Sequence, residues 1–198
     1  MPREIHCANS VCAVKLGVMT EQFSPRNLHK PDLRVRDASE ADVENLCALR
    51  YVASPAIHLD RLRDARNGDL RYLLIENASQ IVGFGVLVFR RPTSWSDAGD
   101  ASNLPQIVDL FVAEKQRGQG IGSFFIVQAE LIAREKGCGE IFIGVDPIDN
   151  PRAHSLYLKL GYAALQSAPH RSRWRFFDSD GVLHAGDEWH LDLKKSLR

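Results

Sequence analysis

The residue types and spacing best suited to chemistry occur in a glycine-rich turn that follows an apolar run. The turn reads Arg117-Gly118-Gln119-Gly120-Ile121-Gly122, continues into Ser123 and opens a helical pattern. Glycine has no Cβ, so a ligand can approach the main chain closely, and the first amides of a helix have no carbonyl partner within it. Those amides and the positive end of the helix dipole suit a phosphate or pyrophosphate. The turn therefore predicts an anion-binding loop between a strand and a helix.

Two common phosphate-binding templates do not fit this turn. The dinucleotide fingerprint requires a third glycine where the sequence has Ser123, and the nucleotide P-loop requires a Lys-Ser or Lys-Thr pair that is absent. The pattern that fits is Arg-x-x-Gly-x-Gly, at Arg117, Gly120 and Gly122, directly after the apolar run Ile107 to Val112.

A second stretch from Asn150 to Tyr162 follows the pattern Asn-x-x-Ala-x-x-Leu-Tyr-x-x-x-Gly-Tyr. Together, in this order, the two motifs resemble those of the GCN5-related N-acetyltransferases. The resemblance is sharpest over residues 107–162. It implies an α/β fold with a mixed, mostly antiparallel sheet flanked by helices. It also implies transfer of an acetyl group from acetyl-CoA to a primary amine, for which we expect a small molecule.

Hydrophobic patterning supplies the elements that must position these motifs. Strands are predicted over 33–36, 70–76, 80–90, 107–112 and 141–145, and again over 162–165, 173–177 and 188–193. Helices are predicted from Ser39 through Leu49, over 56–67, from Ile121 to a stop at Gly137, and over 151–160. In the family that the sequence resembles, the first two helices form part of the acceptor site.

The domain organisation is read from periodicity and from breakers. Residues 1–31 show little periodicity and are interpreted as an extension, with Met19 a candidate native start, and residues 32–198 as one N-acetyltransferase domain. The polar segment 91–105 is predicted to be a loop, and its length and its place before the central strand favour a functional role.

The resemblance assigns the cofactor contacts to specific positions. It implies that the main chain of Leu110 to Val112 pairs with the pantetheine arm, and that an amide there faces the thioester oxygen. The loop from Arg117 to Ser123 would hold the pyrophosphate. The implied cofactor-binding residues are Leu110, Phe111, Val112, Arg117, Gly118, Gln119, Gly120, Ile121, Gly122, Ser123, Asn150 and Tyr157.

Tyr157 is the candidate general acid, because a phenol with a pKa near 10 is suited to protonate a departing thiolate with a pKa near 8.5. The alternative is a core role, since Ala153, Leu156, Tyr157 and Leu160 lie on one helical face. Asn150, at the predicted helix start, is either an N-cap, a polar contact to the cofactor, or both.

Asp109 is the first candidate for the general base, because it interrupts an apolar strand in which an unpaired charge would be costly. The alternative is a hydrogen-bonded structural acid. Glu114 and Asp146, at neighbouring strand ends, are secondary candidates. The ribosomal-protein acetylating branch of the family carries Glu five positions before its motif Asn. This chain has Val145 there, which argues against that branch.

The segment from His184 to His190 contains His-x-x-Asp-x-x-His, but it is predicted to cross a turn into a strand, so its side chains need not converge. We therefore expect no metal cofactor. Cys138 has no histidine partner nearby in sequence, so direct transfer in a ternary complex is favoured over a covalent acetyl-cysteine.

Composition limits the partners and the compartment. The 25 Lys and Arg balance the 25 Asp and Glu, so no overall charge attracts nucleic acid or an anionic membrane. The four cysteines lack metal-ligand spacing, which favours a reduced, cytoplasmic protein. The resemblance adds an expected homodimer. The alternative functions are acetylation of a protein or peptide amine, a non-catalytic acyl-CoA-binding regulatory module, and nucleotide binding by the glycine loop.

Overall fold

The structure is a computed structural model that describes residues 32–50, 54–92, 104–178 and 180–198. The predicted extension over residues 1–31 and most of the predicted loop over residues 91–105 lie outside the described residues. None of the helices in these four ranges is long and apolar enough to cross a membrane.

The described residues contain eight strands and four α-helices. The strands are β1 (Leu33–Asp37), β2 (Leu70–Asn77), β3 (Gln80–Val88), β4 (Gln106–Val112), β5 (Glu140–Val145), β6 (Ala163–Ala164), β7 (His170–Phe177) and β8 (Leu183–Ser196). The helices are α1 (Val43–Leu49), α2 (Pro55–Arg66), α3 (Ile121–Glu135) and α4 (Pro151–Lys159). A short 3₁₀ helix, Glu40–Asp42, lies between the predicted N-cap Ser39 and α1.

The strands form one mixed sheet in the order β1-β2-β3-β4-β5-β8-β6, and β7 pairs with β8. Only the β4–β5 pair is parallel among the pairs in the described part of the chain. The predicted α/β fold with a mostly antiparallel sheet is therefore confirmed. The hairpin of β2 and β3 turns at Ala78 and Ser79, which both have positive φ, the geometry of a type I′ turn.

The C-terminal strands differ in extent from the sequence prediction. The strand predicted over 162–165 is only the two residues of β6, while β8 runs through Leu183–Ser196 and includes the predicted turn around His184. Because β8 pairs with β5, β6 and β7 along its length, the ladder holds polar residues that have little strand propensity of their own.

Helices cover both faces of the sheet. On one face, α3 and α4 pack through Phe125, Ile126 and Tyr157 onto the larger apolar cluster. On the other, α1 and α2 contribute Leu46 and Leu62 to a second cluster. The helix α3 lies very close to the sheet, because a Cβ at Gly85 would be only 2.4 Å from Cζ of Phe125.

The parallel pair β4–β5 opens toward one end of the sheet. Its register contains two residue pairs, Gln106 with Phe142 and Ile107 with Ile143. Pairing stops there although β4 continues to Val112 and β5 to Val145, so the strands part. This V-shaped opening contains the candidate site.

Candidate functional site

A cavity of about 440 Å³ occupies the opening between β4 and β5. Its walls come from five places in the chain: β4, β5, the start of α4, β8 and Arg50 at the end of α1. The predicted residues Asp109, Leu110, Asn150 and Tyr157 all line it. The fold thus brings together residues that the sequence separates by almost fifty positions.

The glycine-rich loop has the backbone that an anion-binding turn requires. Gly118 and Gly120 have φ values of 77° and 81°, in the left-handed region that favours glycine. Gly120 is the N-cap of α3, and a Cβ at either glycine would meet no atom within 4 Å. The space beside this turn is therefore open to a ligand.

The helix α3 begins directly after the loop. The amide of Phe124 donates to the carbonyl of Gly120 at 2.9 Å, and the preceding amides have no carbonyl partner within the helix. Ile121 is buried in the core and anchors this end, whereas Gln119 bonds the Lys115 carbonyl at 3.4 Å. The helix end thus presents main-chain N–H groups suited to a phosphate.

Arg117 fixes the loop to the central strand. Its Nε donates to the carbonyl of Val112 at 3.0 Å, and its guanidinium lies 5.8 Å from the ring centre of Phe111. The side chain is exposed. Arg117 therefore connects the loop to β4 through Nε, and the remaining N–H groups of its guanidinium are suited to bind an anion.

The strand β4 contains a bulge at the candidate base. Phe84 pairs with Phe111 and Val86 with Val108, so Asp109 and Leu110 together face Gly85. Asp109 has a φ of 49°, which is unusual for a residue other than glycine. A bulge leaves an extra residue outside the ladder, so Asp109 and Leu110 have no paired residue on β3, and both line the cavity.

The carboxylate of Asp109 is held by two arginines. Oδ1 lies 2.5 Å from Nη1 of Arg50, and Oδ2 lies 2.5 Å from Nη2 of Arg61. The Arg61 guanidinium also stacks over Tyr72 at 5.6 Å. Because both oxygens accept from cations, the geometry favours the structural alternative for Asp109 over the general base.

Tyr157 lies both in the core and at the cavity. Its side chain is 7% exposed and packs in the larger apolar cluster, with its ring centre 6.2 Å from that of Tyr162. It also lines the cavity. Burial raises the pKa of Tyr157 to about 12, so the phenol keeps its proton over the whole neutral range.

The structure separates the two alternatives for Asn150. Its carbonyl accepts from the amide of His154 at 3.1 Å, which makes it the N-cap of α4. Its side chain makes no capping hydrogen bond and instead lines the cavity. The amide group is therefore available to a ligand.

The secondary base candidates have other surroundings. Asp146 accepts the amides of Ile148 and Asp149 at 2.9 Å and that of Trp189 at 3.0 Å, and these bonds hold its pKa below the usual range. Its oxygens thus stabilise the turn after β5. Glu114 lies in an exposed 3₁₀ helix, Glu114–Gln116.

The sequence analysis missed two cavity residues on β8, Glu188 and His190. The His190 ring contacts Glu188 at 3.3 Å and Asp192 at 3.1 Å, and the Asp192 hydrogen bond is the main reason that the pKa of His190 is raised. His184 contacts Asp178 instead, at 2.9 Å, so the two histidines of the His-x-x-Asp-x-x-His segment have different partners.

Arg50, Arg61, Glu188 and His190 could not be found from local spacing. Arg61 contacts Asp109 from behind the cavity, and the other three line it through contacts between distant segments, such as the pairing of Val145 with Leu191 that sets His190 beside Gly144. The alternating pattern of β8 is the only sequence signal for two of them, and it does not reveal the register.

Comparison with known proteins places this geometry among acetyltransferases. The Acetyltransferase (GNAT) family matches residues 37–162. A thialysine N-epsilon-acetyltransferase from Bos taurus is 34% identical over 102 residues, which cover 51% of this chain and 54% of the relative. The chain thus aligns with about half the length of that curated relative.

Solved structures share the fold at low identity. A spermidine N-acetyltransferase from Vibrio cholerae, in complex with CoA and spermine, has a TM-score of 0.61 at 15% identity, covering 85% of this chain and 97% of that one. A putative acetyltransferase from Salmonella typhimurium, with its cofactor acetyl-CoA, has a TM-score of 0.57 at 16% identity, covering 84% and 95%.

Proposed function

This chain belongs to the GNAT family of acetyltransferases, and we propose that it transfers an acetyl group from acetyl-CoA to a primary amine of a small molecule. The observation that carries the proposal is one cavity that joins the bulge of β4, the start of α4 with Tyr157, and a polar wall from β8. The open glycine loop lies at the end of the same strand.

The residues fit coenzyme A in the way that the resemblance implies. The loop Arg117 to Ser123 would bind the pyrophosphate through its amides, and Gly118 and Gly120 leave room for it. The pantetheine arm would lie in the opening between β4 and β5, along Leu110 to Val112. Asn150 would add a side-chain hydrogen bond.

The reaction has three requirements that the chain can meet. The neutral amine attacks the thioester carbonyl, and a main-chain N–H of the bulged strand stabilises the oxygen as it becomes negative. The carbon–sulfur bond then breaks, and Tyr157 donates its proton to the departing thiolate. A pKa of about 12 keeps Tyr157 protonated until that step. The amine proton leaves to water or to a cavity carboxylate.

A small-molecule acceptor is supported by the name of one similar protein, which is named for acetylation of thialysine, a small amine. A protein or peptide amine remains the alternative, because the structures that share the fold include both a spermidine N-acetyltransferase and a ribosomal-protein-alanine N-acetyltransferase.

We further propose that residues 32–198 form the catalytic domain. A cytoplasmic location is supported by the two described cysteines, Cys47 and Cys138, which are both free thiols. A homodimer is proposed from the resemblance, and sedimentation at micromolar concentration would test it.

The experiment is acetyl-CoA-dependent thiol release across polyamines, aminoglycosides, amino acids and short peptides, with wild type and Tyr157→Phe. Turnover of a small amine that is reduced in the variant supports the proposal. Coenzyme A binding with no turnover on any amine, and no difference between wild type and Tyr157→Phe, would indicate a non-catalytic acyl-CoA-binding module.

A further inference from the structure

The wall of the cavity at Arg50 and Asp109, together with Arg61 of α2 behind it, carries more positive than negative charge. Arg50 and Arg61 both contact Asp109, and the described residues provide no second carboxylate partner for either arginine. Two guanidiniums and one carboxylate leave a net charge of +1 at this place. The wall is therefore cationic although it contains the acid that interrupts β4.

The two arginines differ in what they can offer to a ligand. Arg61 is 16% exposed and stacks over Tyr72 and Phe84, so it serves as the inner support of Asp109. Arg50 is 36% exposed, lies over the ring of Phe111 and lines the cavity. Only Nη1 of Arg50 is bonded to Asp109. Its other guanidinium N–H groups make no hydrogen bond to any of the described residues.

The opposite wall, on β8, has an available carboxylate. Asp146 is occupied by three main-chain amides, and Asp192 by His190 and Gln166. Glu188 is 40% exposed and makes one long contact, 3.3 Å, with His190. The cavity thus has a cationic wall at Arg50 and an acidic wall at Glu188.

An acceptor that carries only ammonium groups would complement one wall and be repelled by the other. An acceptor with an ammonium group and a carboxylate would complement both. The planar fork of arginine matches a carboxylate with two parallel hydrogen bonds, which makes Arg50 the suited partner.

We propose that Arg50 is a specificity-determining residue that binds a carboxylate of the amine acceptor, so that the site selects amino acids over simple amines. This inference rests on the proposed acetyl transfer to a small amine. It narrows the acceptor to compounds with a primary amine at one end and a carboxylate at the other.

The test uses two acceptors that differ by one carboxylate, lysine and cadaverine, with ornithine and putrescine as a second pair. Wild type is expected to show a kcat/KM for lysine about tenfold or more above that for cadaverine, the effect of a charge-assisted hydrogen bond. In Arg50→Gln, KM for lysine rises by about the same factor. KM for cadaverine does not rise in this variant, because the guanidinium that repels its second ammonium group is gone. KM for acetyl-CoA stays within about twofold.

Arg66→Gln is the matched control, because Arg66 is an exposed arginine of α2 that pairs with Glu40 away from the cavity. It should leave both acceptors unchanged. Arg50→Lys keeps the charge without the fork and should recover part of the lysine preference. If Arg50→Gln fails to fold, as judged by its thermal unfolding, the lysine to cadaverine ratio of wild type still decides.

Three results would overturn the inference while leaving acetyl transfer intact. Wild type could use cadaverine as well as lysine, Arg50→Gln could impair both acceptors equally, or the variant could raise KM for acetyl-CoA instead. Absence of thiol release with every amine of the panel would contradict the proposed function itself. The two failures are therefore distinguishable.

Discussion

The cavity has two sides that are built in different ways. The proposed cofactor side consists of the β4 bulge and α4, which line the cavity, and of the loop Arg117 to Ser123 beyond the end of β4, all within residues 106–159. The proposed acceptor side consists of Arg50, Asp109, Glu188 and His190, which line the cavity, and of Arg61 behind Asp109; these residues come from four elements far apart in the chain. One side relies on main-chain groups at a helix end, and the other on charged side chains held by each other.

The difference indicates which part of such a site is general and which part is particular. Main-chain amides and positive-φ glycines suit the phosphates of coenzyme A whichever amine is acetylated, and they depend on short local sequence patterns. In the proposed site, charged side chains decide which amine fits, and their positions depend on the register of strands and the packing of helices. The following variants test whether the two sides have these separate roles.

The largest effect is expected for Tyr157→Phe, at the junction of the two sides. Removing the proton donor should lower kcat about 10³-fold, with KM for acetyl-CoA almost unchanged. Tyr162→Phe removes another buried phenol, 6.2 Å away in the core, and should keep its activity. Equal losses in both variants, measured by thiol release, would show that Tyr157 contributes packing alone.

The second effect concerns the support beneath the acceptor side. His58 is fully buried, bonds the hydroxyl of Tyr72 at 2.7 Å, and has a pKa lowered to about 4, first by burial and then by the charge of Arg61. The charges of Asp109 and Arg50 act on it as well. His58 is therefore neutral in the folded protein and takes up a proton on unfolding below its unfolded pKa of 6.5.

The consequence is a loss of stability in acid. The free energy of unfolding should fall between pH 6.5 and about 4, in total by on the order of 3 kcal/mol at about 1.4 kcal/mol per pH unit. Urea unfolding across this range would measure it, and His58→Gln should flatten the slope. Carboxylates such as Asp42, whose pKa is lowered from 3.8, act only below this range. An unchanged slope in His58→Gln would contradict a neutral, buried histidine.

The third effect tests the cofactor side by itself. Gly120→Ala should strain a left-handed residue by about 1 kcal/mol and weaken coenzyme A binding about tenfold, because the first amides of α3 shift. Gly68→Ala is the control: its φ of 78° imposes the same strain, and a Cβ there also meets nothing within 4 Å. Calorimetric titration should show weaker binding for Gly120→Ala alone. Equal affinity of the two variants for coenzyme A would show that the loop does not contribute to coenzyme A binding.

The smallest effect is expected for Glu188→Gln, on the acceptor side. Loss of an exposed charge should raise KM for amine acceptors about threefold, without changing KM for acetyl-CoA. Glu140→Gln, on the neighbouring strand β5, removes a carboxylate of similar exposure that pairs with Lys194. A rise in KM for acetyl-CoA in Glu188→Gln would indicate that Glu188 contributes to cofactor binding and not to acceptor binding.

The contrast between local patterns and long-range contacts also explains which features are predictable from the sequence. The strands, the four helices and the glycine-rich loop are predictable from the periodicity of hydrophobic residues and from the positions of Pro and Gly. These signals act over a few residues. The positive φ of Asp109 lies at a register shift between β3 and β4, and its two arginine partners come from α1 and α2, so neither follows from local spacing. The sequence therefore marks Asp109 as an acid within an apolar strand, but it does not predict that Arg50 and Arg61 bind its carboxylate.

The C-terminal part teaches the same lesson on the scale of a strand. The segment around His184 has the polar and small residues of a turn, yet it belongs to β8 because β7 pairs with it along its full length. His184 and His190 have different partners because of that pairing and because the ring of His190 lies beside Gly144.

The most direct test of acetyl transfer is the fate of a labelled acetyl group. The protein is incubated with acetyl-labelled acetyl-CoA and the amine panel, and label is measured on the amine, on the protein and in acetyl-CoA. The account predicts label on a small amine, one released thiol for each acetylated amine, and no label on the protein. Label that stays in acetyl-CoA despite measurable binding, or that accumulates on the protein, would contradict direct transfer in the cavity between β4 and β5.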